Sequence, residues 1–121
     1  MSKVLVIEDE DILRESVLTI LQAQGFNAVG AEDGHKGLHL AKEFRPDLIL
    51  CDVRMPGLDG YEVLKALRQD PLTTEMPLLL LTAETMQNVI HQGESLGASG
   101  YLTKPFSTAE LLEAIAHHLS I

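Results

Sequence analysis

The chain has 121 residues, 45% of them apolar, and carries 9 basic against 18 acidic residues for a formal net charge of −9. That size suits one domain with a real core, expected to fill residues 1–121, and the acidic balance disfavours direct binding to nucleic acid. Cys51 is the only cysteine, so no internal disulfide is possible, and no apolar run approaches the roughly 20 residues of a membrane-spanning helix.

Met1-Ser2-Lys3 leads straight into an apolar run and leaves no room for a signal peptide, so a cytoplasmic location away from membranes is expected. The run predicts a first strand over 3–7, ending at Glu8-Asp9-Glu10. A helix follows over 11–24, with Leu13, Val17, Ile20 and Leu21 on one face and Gly25 as its stop. Strand 2 is expected over 27–31. Helix 2 runs from near Gly34 to Phe44, where Arg45-Pro46 ends it. Strand 3, Leu48–Asp52, has the continuous apolar character of a strand buried on both faces and finishes on a carboxylate. Pro56-Gly57 makes a turn, and Asp59 caps a third helix that ends near Gln69. Strand 4, Leu78–Thr82, ends on a hydroxyl. Helix 4 is expected from near Thr85 to Leu96, with Gly97 at its end. Strand 5, Gly100–Thr103, runs into Lys104-Pro105, and Ser107 with Glu110 forms the capping box of helix 5.

Strands alternating with helices imply a parallel sheet with right-handed crossovers, covered by helices on both faces: a three-layer α/β/α sandwich. Such sheets do their chemistry at the carboxyl ends of the strands. Four of those ends here carry Glu8-Asp9, Asp52, Thr82 and Lys104. Taken singly, each has an ordinary explanation. Acidic residues near a helix N-terminus favour the helix dipole, threonine suits any strand, and lysine before proline is common in turns. Together they form a set. Crowded carboxylates repel one another unless a cation compensates, and hard oxygen donors with open positions suit Mg²⁺. Lys104 on strand 5 is within reach of Asp52, and a cis peptide before Pro105 would aim it.

Glu8-Asp9, Asp52, Met55-Pro56-Gly57, Thr82-Ala83, Gly97-Ala98, Tyr101 and Lys104-Pro105-Phe106 resemble the receiver domain of two-component response regulators in order, spacing and strand-end placement, over the whole chain. The resemblance implies a flavodoxin-like (βα)5 fold with sheet order 2-1-3-4-5. It implies that Asp52 is the phosphoacceptor, taking a phosphoryl group from a histidine of a sensor kinase or phosphotransfer protein. Asp9 and Asp52 would then ligate Mg²⁺ with their carboxylates, Arg54 through its backbone carbonyl and Glu8 through water. Lys104 would neutralise the phosphoryl group, Thr82 would bond it, and Tyr101 would swing inward to report it on the helix 4–strand 5–helix 5 face. Arg54 and Glu84, two residues beyond Asp52 and Thr82, would flank the path of the water that removes the phosphoryl group.

The resemblance makes the chain a signalling phosphoacceptor, one that assists its own phosphorylation and dephosphorylation. The output would be a downstream protein or a fused domain, and the apolar ending Leu119-Ser120-Ile121 hints at a receiver cut from a longer chain. Winged-helix members of the family usually carry acids where this chain has Ser99-Gly100, and arginines where it has Ala114 and Ala116, so their salt-bridged dimer is not expected. A phosphatase of the haloacid dehalogenase type also uses a strand-end aspartate with Mg²⁺. It needs a second acid two residues on, where Arg54 stands, and a nucleophile after the first strand. A flavin carrier needs a phosphate loop after strand 1, which Glu8-Asp9-Glu10 would repel. His35 and His39 share a helix face without a third metal ligand in view. The adjacent His117 and His118 should point to different sides of helix 5 as surface residues.

Overall fold

The computed structural model describes residues 2–83 and 87–119, with 87–90 described through their backbone alone. The elements are β1 (Lys3–Ile7), α1 (Asp11–Ala23), β2 (Asn27–Ala31), α2 (Gly34–Phe44), β3 (Leu48–Asp52), α3 (Gly60–Gln69), β4 (Leu78–Thr82), α4 (Gln87–Leu96), β5 (Gly100–Thr103) and α5 (Thr108–Leu119). All four strand pairings are parallel and the sheet order is β2-β1-β3-β4-β5. This is the expected α/β/α sandwich, and the expected strand bounds match those observed.

The central strands carry the core. Every residue of β3 and β4 is buried, and each leucine or isoleucine taken fully out of water contributes about 1.5–3 kcal/mol. Alternation divides their side chains between two layers. Leu5, Ile7, Ile49, Cys51, Leu78 and Leu80 meet Ala41 of α2 and Val63, Leu64 and Leu67 of α3. Val4, Val6, Leu48, Leu50, Leu79 and Leu81 meet Val17 and Leu21 of α1 and Leu111 and Ile115 of α5. A strand with apolar neighbours on both sides has no polar alternation to show, which is why these runs read as continuous.

Helix ends follow local chemistry. Ser107 and Glu110 form the expected capping box at α5, the Glu110 amide donating to Ser107 Oγ at 3.0 Å and the Ser107 amide to Glu110 Oε1 at 2.9 Å. Asp59 caps α3, and Glu62 completes a second box there. The first helix ends at Ala23, one residue before the expected bound, with Gln24 as its cap. Arg45 ends α2 in the left-handed region at φ 52°. Gly97, at φ 93°, ends α4, a conformation glycine adopts without a Cβ penalty. The expected start of helix 4 near Thr85 lies outside the described residues.

At the amino-terminal edge of the sheet, Arg68 closes the structure. Its guanidinium donates to Gly97 O at 2.9 and 3.1 Å, to Met76 O at 2.7 Å and to Thr74 O at 3.1 Å. One side chain thereby ties the end of α3, the approach to β4 and the end of α4. The structure corrects the expectation for His118. Its ring stands 4.9 Å from that of His117 and is half-buried, with Nδ1 2.9 Å from Ala114 O and Nε2 3.1 Å from Ser99 O. It bridges α5 to the turn before β5, because that turn passes within reach of the last helical turn.

Among the described residues no helix is long and apolar enough to cross a membrane. His35 is exposed, and His39 faces Glu43 at 3.2 Å.

Candidate functional site

The carboxyl edge of the sheet gathers four of the five strand ends. The Glu8 amide donates to Ala31 O at 3.0 Å, which prolongs the β1–β2 pairing by one residue and carries Glu8 into the edge. There the Glu8 side chain is buried at 1% exposure. Its Oε1 accepts from Lys104 Nζ at 2.8 Å and its Oε2 from the Glu10 amide at 3.2 Å. The chain then turns outward and Asp9 is exposed. Asp52 ends β3 opposite Leu81 and is 6% exposed. Its Oδ1 lies 3.1 Å from Lys104 Nζ. Ligand oxygens of Glu8, Asp9 and Asp52 all lie within 4.8 Å of one another.

Lys104 stands between two buried acids. It follows β5, its amide donates to Thr82 O at 2.7 Å, and its peptide bond to Pro105 is cis. Burial pulls its ammonium down, but the bonds to Glu8 and Asp52 outweigh that and hold it above its ordinary value. Asp9 is pushed up, first by partial desolvation and then by a hydrogen bond with Glu8. Two carboxyl groups that close together share a proton or call for a cation.

Thr82 ends β4 beside Thr103 and is buried at 4% exposure. Arg54 is exposed on the loop after β3, beside a cavity lined by Met55, Pro56, Asp59 and Tyr61. Tyr101, on β5, is half-buried against the layer that holds α3 and α4. Burial pushes its phenol above the ordinary value, the Glu94 carboxylate adds to this, and a backbone hydrogen bond at Glu94 opposes it. Glu84 lies outside the described residues.

The structure thus brings Glu8, Asp9, Asp52 and Lys104 together, with Thr82 on the adjoining strand end. Glu8 makes contacts that the sequence does not announce. Its carboxylate is held directly by Lys104 and by the Glu10 amide, so it anchors the lysine as well as adding charge beside Asp9. Glutamate's extra methylene gives the reach for that contact. Two supporting residues carried no obvious signal. Arg14, the only basic residue of α1, donates to Glu8 O at 2.8 Å and to Asp11 Oδ1 at 2.6 Å, fixing the backbone between strand and helix. Gly60 starts α3 directly against the Asp52 carbonyl and the Val53 Cα, where a Cβ would not fit, and its amide donates to Val53 O at 2.9 Å. A glycine directly after an N-cap aspartate is the one sequence hint of that close approach.

The donor set fits a small hard cation. Carboxylate oxygens that converge within 4.8 Å of one another, with Asp9 exposed beside buried Glu8 and Asp52, match what Mg²⁺ takes. Asp52 stands at the third strand end and is followed two residues on by Arg54, so the second acid of a haloacid-dehalogenase-type phosphatase is missing.

Comparison with known proteins agrees with this geometry. The chain is 38% identical over 115 residues to the DNA-binding dual master transcriptional regulator RpaA of Synechocystis, covering 95% of this chain and 48% of that protein. It is 39% identical over 113 residues to the phosphate regulon transcriptional regulatory protein PhoB of Escherichia coli, covering 93% of this chain and 49% of PhoB. The chain therefore spans about half the length of the curated relatives it matches. Among solved structures it resembles the chemotaxis protein CheY4 of Vibrio cholerae, with TM-score 0.95 and 37% identity over 98% of this chain and 99% of that one. It also resembles the receiver domain of the sensor histidine kinase PA1611 from Pseudomonas aeruginosa, whose structure holds a magnesium ion in its active-site cleft, with TM-score 0.90 and 28% identity over 99% of this chain and 98% of that one. The family model of the response regulator receiver domain matches residues 4–116, and with these strand ends in place the chain belongs to that family.

Proposed function

We propose that this receiver accepts a phosphoryl group on Asp52 from a phosphohistidine of a sensor kinase or phosphotransfer protein. The observation that carries the reading is a buried Asp52 bonded to Lys104, with Glu8 and Asp9 oxygens within 4.8 Å. In the transfer an Asp52 oxygen attacks phosphorus, the P–N bond breaks, and its electron pair leaves with the imidazole nitrogen. Such transfer depends on alignment and charge stabilisation more than on covalent help. Lys104 is already aimed at Asp52 and offers its ammonium to the incoming oxygens. Thr82 Oγ1, at the next strand end, bonds a phosphoryl oxygen once the group is in place. The Asp9 and Asp52 carboxylates and the Arg54 carbonyl would hold Mg²⁺, with Glu8 assisting through water, and the ion would supply the remaining neutralisation of phosphoryl charge.

Aspartyl phosphate places nearly two negative charges at one point. A Thr82 hydroxyl drawn toward it vacates space, and Tyr101 moves to fill it, which changes the α4–β5–α5 face. Arg54 and Glu84 tune the return by flanking the attacking water. The role is signalling, in a cytoplasmic receiver that fills residues 1–121. Its output is a downstream protein or a fused domain, since relatives of about twice the length are named as transcriptional regulators. A chain with net charge −9 is not itself the nucleic-acid-binding part. Ser99, Gly100, Ala114 and Ala116 offer no charges for a salt-bridged dimer through that face.

Intact-mass measurement with Mg²⁺ and acetyl phosphate tests the assignment. One phosphoryl group is expected on the native chain and none on Asp52→Asn. Label that persists on Asp52→Asn would refute it. In the same assay Asp9→Ala is expected to lose both Mg²⁺ binding and phosphorylation.

A further inference from the structure

Gly93 lies inside α4, where glycine is a poor choice for helix stability relative to alanine. A Cβ built at this position would stand 2.7 Å from Tyr101 Oη, 2.9 Å from Tyr101 Cε1 and 2.9 Å from Leu80 Cδ1. Real Cβ atoms do not approach heavy atoms that closely. Leu80 is fully buried in the core, whereas Tyr101 is half-buried and its ring can swing toward solvent. Tyr101 also makes a backbone hydrogen bond at Glu94, the residue next to Gly93. The phenol is therefore lodged on α4 in the place where any other residue at position 93 would have its side chain.

We propose that Gly93 is the seat that lodges the Tyr101 ring against α4 in the unphosphorylated chain, so that this glycine sets how readily the ring leaves α4 on the α4–β5–α5 face. A Cβ at position 93 closes the seat and drives the ring out. The helix then gains intrinsic stability while the face loses the contact that joins β5 to α4. The importance of this seat for signalling rests on the reading of Tyr101 as the reporter of phosphorylation. The steric claim is a property of the unphosphorylated chain and is tested there.

The chain has two tyrosines and no tryptophan, so Tyr61→Phe leaves Tyr101 as the sole tyrosine fluorophore. In that background Gly93→Ala is expected to raise acrylamide quenching of Tyr101 at least twofold, with circular dichroism unchanged. Unaltered quenching in a folded variant would overturn the proposal. A thermodynamic cycle gives a second reading that does not depend on fluorescence. Gly93→Ala should raise the thermal midpoint clearly in a Tyr101→Ala background, where the seat is vacant and Leu80 is retained, and raise it much less, or lower it, with Tyr101 present. Equal gains in both backgrounds would show an ordinary helical glycine and overturn the proposal. Phosphorylation from acetyl phosphate is followed in parallel. Its absence from the native chain would count against Asp52 as acceptor, while the quenching and the cycle would still decide the seat.

Discussion

Lys104 and Arg68 stand at opposite edges of one sheet, and each joins segments that are distant in sequence. Among the described residues, Arg68 donates to the backbone carbonyls of Thr74, Met76 and Gly97. Those acceptors are neutral backbone carbonyls, so the contact answers to the path of the chain and not to charge. Lys104 donates to two carboxylates, Glu8 and Asp52. Charges can be redistributed when a cation or a phosphoryl group arrives. One edge is thus held by neutral acceptors and the other by charges, with the core of β3 and β4 between them.

Removing Lys104 should break the comparison most severely. Lys104→Met leaves Glu8 and Asp52 buried beside Asp9 without their cation. Breaking a buried pair costs about 3–5 kcal/mol, and with Lys104 partly exposed a loss of about 2 kcal/mol or more is expected by denaturant unfolding. Phosphorylation should fall with it. The sign with pH follows from the raised ammonium: its stabilisation is complete below the ordinary value of 10.5 and disappears as pH climbs through the higher folded value. Lys104→Met should abolish that alkaline dependence.

Arg68→Ala is the counterpart at the other edge. Loss of its charge-assisted bonds should cost about 2 kcal/mol, with phosphorylation of the folded variant unchanged. A large loss of phosphorylation in folded protein would show that the two edges are not independent.

A smaller effect is expected at the Ser107 cap. Ser107→Ala removes the side-chain half of the box and should cost about 1 kcal/mol by thermal unfolding, leaving Lys104 aimed by the turn before it. The least effect belongs to Lys42, whose ammonium lies 3.0 Å from Asp70 Oδ2 on the surface near Arg68. Lys42→Ala should leave the unfolding midpoint at neutral pH almost unchanged, because exposed pairs are screened and mobile. A marked drop would place part of Arg68's work on its neighbours.

The two edges also differ in how far the sequence discloses them. Asp52, Thr82 and Lys104 are legible because each terminates an apolar run, and a run buried on both faces marks its own end. The clasp of Arg68 is not, since its partners are carbonyls and carbonyls have no identity in a sequence. The Glu8–Lys104 contact is missed for a different reason. It joins residues 96 apart, and only the sheet order makes them neighbours. His118 is misjudged because helical spacing says which way a side chain leaves its helix and nothing of what lies across from it. Gly93 passes unnoticed because an in-helix glycine signals a cost without saying which atoms need the room.

The alternation along β3 has a consequence for the identity of the proposed nucleophile. Cys51 and Asp52 are adjacent and leave the strand on opposite sides, the thiol fully buried among Leu5, Ile7 and Leu80 and pushed up by burial. A slip of β3 by a single residue would exchange those sides and present sulfur where oxygen belongs. Nothing in the apolar run itself resists such a slip, as leucine, isoleucine and cysteine are welcome on either side. The parity is bolted at the two ends: Lys3 and Asp47 exchange backbone and side-chain bonds before the strand, and Gly60 grips Val53 after it. A one-residue insertion or deletion between those bolts would leave a folded-looking sheet with the wrong element in its mouth.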